Sequence, residues 1–199
     1  LRVSNDLGQT WEDWGTWDGT WALEMGLHPT DPQTVYVGNV EGMRVTTDGG
    51  TTWQAINHGL TGTAPEVLEV LPDQPGTVLG QNIDSLGLFR LEQGGANWSF
   101  IPVTPPIYTP MYRTTAFASD PNDPQRMYLA QTGLGLYRSE DGGNSWTLAS
   151  IPLEDFHFIY RLRAFPSPHS DTLYAAPGNF CVFTYCGLWK STNHGDSWT

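Results

Sequence analysis

Five tryptophans, Trp11, Trp53, Trp98, Trp146 and Trp198, each close a short segment that recurs along the chain, 42, 45, 48 and 52 residues apart. Thr46-Thr47-Asp48-Gly49-Gly50-Thr51-Thr52-Trp53 and Ser139-Glu140-Asp141-Gly142-Gly143-Asn144-Ser145-Trp146 are the fullest copies, and Ser4-Asn5-Asp6-Leu7-Gly8-Gln9-Thr10-Trp11 opens the series. Ser191-Thr192-Asn193-His194-Gly195-Asp196-Ser197-Trp198 carries Asn for Asp, and a worn copy, Leu91-Glu92-Gln93-Gly94-Gly95-Ala96-Asn97-Trp98, carries Gln. The shared form is S/T-x-D-x-G-x-S/T-W. A sequence repeating at this period folds as a series of like supersecondary units that bury their apolar faces on one another.

What surrounds each segment says which unit. A short apolar strand precedes it: Gly42-Met43-Arg44-Val45, Gly87-Leu88-Phe89-Arg90, Gly135-Leu136-Tyr137-Arg138 and Gly187-Leu188-Trp189-Lys190. Further upstream lies a Pro/Asp turn running into an alternating strand, clearest in His28-Pro29-Thr30-Asp31-Pro32-Gln33-Thr34-Val35-Tyr36-Val37-Gly38 and close to it in residues 119–130. Charged residues are only 15% of the chain while Gly (22) and Pro (15) are plentiful, the balance of many short strands joined by tight turns. With 39% hydrophobic residues the chain can bury a substantial core. The expectation is an all-β protein.

The repeated segment resembles the Asp box, or BNR repeat, of sialidases, sortilin-type receptors, xyloglucan-cleaving glycosidases and photosystem assembly factors. That resemblance implies a β-propeller of four-stranded antiparallel blades, with the segment at the turn between third and fourth strands and, in consequence, each blade's first strand near residues 22–27, 66–71, 112–118 and 159–165. About four blades would be present, as approximate repeats 1–21 (partial), 22–65, 66–111, 112–158 and 159–199 of one domain, itself a fragment of a larger propeller. The carboxylates of Asp6, Asp48 and Asp141, and the amide of Asn193, would tie the turn; Trp11, Trp53, Trp98, Trp146 and Trp198 would pack between blades. Gln93 and Asn193 would weaken the tie in their copies without disturbing the tryptophans. One recurring acidic position does not build a calcium loop, so no metal or other cofactor is expected. Arg2, Arg44, Arg90 and Arg138 recur in the third strand, which suggests a repeated structural role.

Function is less plainly written. A formal net charge of −12 repels nucleic acid, and no stretch approaches the roughly 20 apolar residues of a membrane-spanning helix, so neither partner is expected. Cys181 and Cys186 flank an apolar β-prone stretch and are either a hairpin disulfide, which fits an extracellular, periplasmic or cell-surface location, or two buried thiols. The resemblance implies ligand sites on the face opposite the repeated turns. The most unusual stretch is Trp11-Glu12-Asp13-Trp14-Gly15-Thr16-Trp17-Asp18-Gly19-Thr20-Trp21. Trp11 belongs to the repeat and Trp21 to the next strand, leaving Trp14 and Trp17, with Tyr108 and His157, as candidate ligand-binding residues. For glycoside hydrolysis, which needs two carboxyls across a cleft, the candidates are Asp84, Glu154 and Asp155, joined by Asp13 and Asp18. No catalytic set stands out. The leading expectation is an extracellular or cell-surface binding and assembly module for protein or glycan. The alternatives are a fragment of an exported xyloglucanase- or sialidase-like glycoside hydrolase, and a surface or filament subunit that self-associates through open blade edges.

Overall fold

The computed structural model describes residues 1–15, 17, 21–61, 65–71, 74–82, 87–103, 114–131, 135–149, 159–164, 172–177 and 187–199. Every regular element among them is a strand. β1 (Arg2–Val3) and β2 (Glu12–Asp13) form a two-stranded ladder, followed by a four-stranded sheet of β3 (Ala22–Leu27), β4 (Val35–Asn39), β5 (Gly42–Thr46) and β6 (Gln54–Ala55). β7 (Pro65–Val70), β8 (Val78–Asn82), β9 (Gly87–Leu91) and β10 (Trp98–Pro102) make the next. A third joins β11 (Thr114–Asp120), β12 (Asp123–Gln131), β13 (Gly135–Ser139) and β14 (Thr147–Leu148), and the last contains β15 (Ile159–Ala164), β16 (Leu173–Pro177) and β17 (Trp189–Ser191). Strands follow one another in chain order and pair antiparallel, as tight connections require. The first strands begin within two residues of the positions expected from sequence.

By contact the chain divides into one unit of Leu1–Asn82 with Phe89–Ser99 and another of Ile83–Leu88 with Phe100–Thr199. In the first unit, Tyr36 and Met43 are buried together with Leu68, Val78, Phe89, Leu91 and Trp98. Gly26 makes this packing close, since a methyl group there would meet Val70 Cγ2 at 2.7 Å. In the second unit Ala116, Ala118 and Tyr128 on one sheet are buried with Leu162, Leu173, Ala175 and Trp198 on the next. Small residues on the face of one sheet admit large ones from the following sheet, which is how neighbouring sheets approach closely.

The repeated turn links the third strand to the fourth in the three four-stranded sheets, joins β1 to β2 in the ladder and follows β17 in the last sheet. Ser139 Oγ donates to Asp141 Oδ1 (2.8 Å) and accepts from Gly143 N–H (2.8 Å), while Asp141 accepts from Ser145 N–H at Oδ1 (2.8 Å) and Ser145 Oγ at Oδ2 (2.6 Å). Thr46, Asp48, Gly50 and Thr52 repeat this set, as do Ser4, Asp6, Gly8 and Thr10. Asn193 keeps it with an amide: its Oδ1 accepts from Ser197 N–H (2.9 Å) and its Nδ2 donates to Ser197 Oγ (2.9 Å). The worn copy has Leu91 and Gln93 in place of hydroxyl and carboxylate, and Gly95 N–H instead closes the turn on the Glu92 carbonyl (2.8 Å). Asn193 thus keeps the geometry of the turn with a neutral amide, whereas the Gln93 copy closes through its backbone. The turn needs a left-handed residue at its fourth position. Gly49, Gly94 and Gly142 serve in three copies, but Leu7 (φ 60°) and His194 (φ 56°) hold the same conformation without a glycine's freedom.

These hydrogen bonds hold the carboxyls low. Asp6 drops from 3.8 to about 2, chiefly through the Thr10 hydroxyl, and Asp48 and Asp141 are lowered by Thr52 and Ser145. A carboxyl depressed in the folded state contributes fully above its unfolded value and loses that contribution as pH falls through the folded one.

Register separates the arginines into two sets. Arg90 and Arg138 stand opposite Leu79 and Tyr128, immediately before the turn, whereas Arg44 stands opposite Val37, one residue earlier and hence on the other face. Arg2, two residues before Ser4, shares the position of Arg44. Arg90 bonds Glu92 and Gln74, and Arg138 reaches Glu140 (2.9 Å), Asp196 (2.7 Å) and the His194 carbonyl (3.0 Å). Arg126 extends the cluster to Glu140 (3.0 Å), Asp123 (3.4 Å), the His194 ring (3.1 Å) and the buried carboxylate of Asp120 (3.4 Å). The two arginines of the third sheet thus hold the repeated turn of the fourth.

Two outcomes are expected. Asp141→Ala removes the acceptor of three hydrogen bonds and lowers stability by about 1–2 kcal/mol at neutral pH, whereas Asp141→Asn, imitating Asn193, loses less and flattens the acid limb; urea unfolding from pH 7 to pH 2.5 measures both. Arg126→Ala strands the Asp120 carboxylate and destabilises by about 3 kcal/mol, read from the same unfolding midpoint.

Candidate ligand-binding surface

The tryptophan-rich segment lies within the first unit and is organised by the repeated turn of the next sheet. Trp14 meets Trp53 edge-on with ring centroids 5.9 Å apart, and Trp17 meets the same ring at 4.9 Å. Arg44, on the face opposite to that of Arg90 and Arg138, lies 5.9 Å from the Trp17 ring centre. In three copies the tryptophan indole N–H donates to a glycine carbonyl of its own turn: Trp11 to Gly8, Trp146 to Gly143 and Trp198 to Gly195. Trp53 does not; its Nε1 has no partner among the described residues, and Gly15 approaches the equivalent Gly50 carbonyl so closely that a Cβ would collide with it. Trp98 differs again, donating to the Ile56 carbonyl of the preceding sheet at 2.6 Å.

Trp14 and Trp17 are therefore half-buried supports of this loop, and the exposed rings are the two that the repeat and the following strand account for by sequence. Trp21 is 85% exposed and Trp11 59%. Beyond Trp21, β3 shows Leu23, Met25 and Leu27 to solvent at alternate positions, while Gly26 faces the core. By register Met25 corresponds to Leu68, Phe117 and Leu162, all buried, yet it is 49% exposed. Within residues 1–199 only the two-stranded β1–β2 ladder precedes this face of β3. A concavity of about 720 Å³ results, lined by Leu7, Trp11, Trp14, Met25 and Leu27, with His28 and Asp31 at its margin. Sequence periodicity could have found this strip, since residues 21, 23, 25 and 27 are all apolar, but alternation alone reads as an inward face.

Its acid–base equipment is slight. Asp31 accepts from Thr34 Oγ1 (2.6 Å) and Gln33 N–H (3.0 Å), and these bonds, the hydroxyl first, hold its carboxyl below the ordinary range. His28 Nδ1 accepts from Asp31 N–H at 3.0 Å. Asp13 pairs with Arg2 at 3.5 Å, both exposed. The carboxyls of Asp6, Asp31, Asp48 and Asp141 are all shifted downward by their own turns, opposite to the shift a general acid of glycoside hydrolysis requires. No group of three or more His, Cys, Asp or Glu among the described residues could hold a metal ion. Asp18, Asp84, Tyr108, Glu154, Asp155, His157, Cys181 and Cys186 lie outside the described residues.

No family model and no curated protein matches this sequence. Among solved structures, the chain is similar to the GH74 xyloglucanase from Xanthomonas campestris, at 21% identity and a TM-score of 0.67 over 82% of this chain and 26% of that one. It is similar to the extracellular domain of the one-component system BT4673 from B. thetaiotaomicron (16%, 0.68, 95% and 23%) and to YCF48 bound to D1 peptide (17%, 0.61, 96% and 58%). The fold is a β-propeller. Its blades are the four-stranded antiparallel sheets described above, and the chain spans about a quarter of the length of the first two of these proteins. Among the described residues no helix is long and apolar enough to cross a membrane.

Gly15→Ala tests how the aromatic loop is seated. The residue has a left-handed backbone (φ 65°), and its Cβ would displace the Gly50 carbonyl, so the variant should lose the packing of Trp14 and Trp17 on Trp53. A red shift of tryptophan emission with unchanged far-ultraviolet dichroism is the expected readout.

Proposed function

We propose that residues 1–199 are part of one exported β-propeller domain whose repeated turns are Asp boxes, and that it serves as a binding and assembly module. Its ligand is a glycan taken on the aromatic surface of the first unit. The observation that carries this reading is the exposure of Trp11 and Trp21 beside the apolar strip Leu23–Met25–Leu27. Flat indole faces suit sugar rings. Trp14 and Trp17 support the loop from beneath through Trp53. The likeness to a xyloglucanase and to an extracellular domain is consistent with an exported, glycan-related role.

A second reading follows from that xyloglucanase: the chain is a fragment of a glycoside hydrolase, with Asp84, Glu154 and Asp155 as the carboxylates and Tyr108 and His157 beside the substrate. The hydrogen-bonded, lowered carboxyls of the aromatic surface favour binding over hydrolysis at that surface. Titration calorimetry with xyloglucan oligosaccharides, run beside a reducing-end assay, separates the two. Saturable binding without new reducing ends is expected, weakened about tenfold by Trp21→Ala or Trp11→Ala, in line with roughly 1–2 kcal/mol for an aromatic anchor. Released reducing ends would favour the hydrolase, and absence of binding would remove the glycan from this reading and leave a protein ligand.

A further inference from the structure

The worn copy of the repeat carries a second pattern. Its seventh position, held by Thr10, Thr52, Ser145 and Ser197 in the other copies, is Asn97, and Ser99 stands two residues further on. Asn97-Trp98-Ser99 is the one place in the sequence where Ser or Thr lies two residues after Asn with no proline between them. Such a triplet is the acceptor pattern for an N-linked oligosaccharide, a bulky group that only a surface position can carry.

In the other copies the seventh side chain is tied into the turn. Thr10, Thr52 and Ser145 donate to the aspartate Oδ2 at 2.6 Å, and Ser197 Oγ accepts from Asn193 Nδ2 at 2.9 Å. Asn97 has no such partner, because Gln93 replaces the acid and its stem lies against the β7–β8 turn, where a Cβ on Gly76 would meet Gln93 Cγ at 2.8 Å. Among the described residues no hydrogen bond holds the Asn97 amide, and the residue is exposed. Trp98 is fixed inward by two bonds, its backbone N–H to the His58 carbonyl (2.9 Å) and its indole N–H to the Ile56 carbonyl (2.6 Å). Alternation along the strand then turns Asn97 and Ser99 outward together, and both are exposed. The rim beside them is open, since a Cβ on Gly94 would have no neighbour within 4 Å.

We propose that Asn97 is a site of N-linked glycosylation, modified as the chain is exported and before β10 closes on β9. The inference rests on the exported location proposed above. In the folded sheet Ser99 Oγ donates to the Arg90 carbonyl at 3.2 Å, so its hydroxyl is open to a transferase only while the segment is still extended. The co-substrate is an oligosaccharide carried on a polyprenyl diphosphate. The Asn97 amide nitrogen forms a bond to the anomeric carbon, the bond from that carbon to the diphosphate oxygen breaks with its electron pair leaving on the diphosphate, and one amide proton passes to a base of the transferase. Once folded, the chain carries the glycan outward from the one turn that lacks the carboxylate–hydroxyl bonds, where no strand has to move to admit it.

Tryptic cleavage releases residues 91–113, in which Asn97 is the only asparagine. The protein is recovered from the medium and cell-surface fraction of the organism that makes it, and this peptide is read by mass spectrometry with electron-transfer fragmentation. A carbohydrate mass on Asn97 is the expected result. Ser99→Ala and Asn97→Gln should each abolish it, while Ser99→Thr, which keeps the hydroxyl, should retain it and shows that loss in the other variants is not a failure to fold. Recovery from that fraction with Asn97 bare overturns the proposal and leaves the exported reading standing. Carbohydrate that persists on residue 97 in the Ser99→Ala chain also overturns it, since the triplet then plays no part. Absence of the protein from that fraction overturns the exported reading and this proposal with it.

Discussion

Three of the repeated turns depend on one buried hydroxyl at the end of the strand that precedes them. Thr46, Ser139 and Ser191 sit in the core side of the sheet, where an unsatisfied oxygen would be costly, and each both donates to the Asp or Asn side chain and accepts a glycine N–H of the turn. The carboxylate or amide then binds the residue that begins the return. Fourth strands of only two residues, β6 and β14, are sustained in this way: their ladders are too short to set their own register, and the turn sets it for them. Where the hydroxyl and the acid are replaced, in the Leu91–Trp98 copy, the fourth strand β10 is five residues long and Trp98 reaches across to Ile56. Longer pairing and a tryptophan bond to the neighbouring sheet stand in for the missing turn bonds.

With the turns secured, what distinguishes one sheet from another is the chemistry of its two faces. Gly26, Ala116 and Ala118 are small so that the following sheet can close over them. Met25 in β3 stands on the opposite face, at the position that Leu68, Phe117 and Leu162 hold in the other sheets.

Much of the architecture was legible in the sequence because a repeat states its rule several times over. The interval between tryptophans, the Pro/Asp turns and the apolar strand before each segment place the strands to within two residues. The surface was less legible. Trp14 and Trp17 look unassigned in sequence because their partner, Trp53, lies some 40 residues away and is itself claimed by the repeat. Trp21 looks like an ordinary strand residue, and the structure leaves its ring in solvent. Arg44 looks equivalent to Arg90 and Arg138, although a shift of one residue in a strand sends its side chain to the opposite face.

Local chemistry therefore determined the turns: hydroxyl, carboxylate and left-handed residue lie within eight positions of one another, so their hydrogen bonds are implied by the sequence alone. Fold class followed, since a four-stranded unit repeated at this period buries its faces only on its neighbours. Burial was decided by tertiary structure, because it depends on which sheet lies over a given face, as where Ala118 and Leu162 of neighbouring sheets are buried together. Local pattern specifies which way a side chain points along its strand, and only the assembled sheets specify what it meets there.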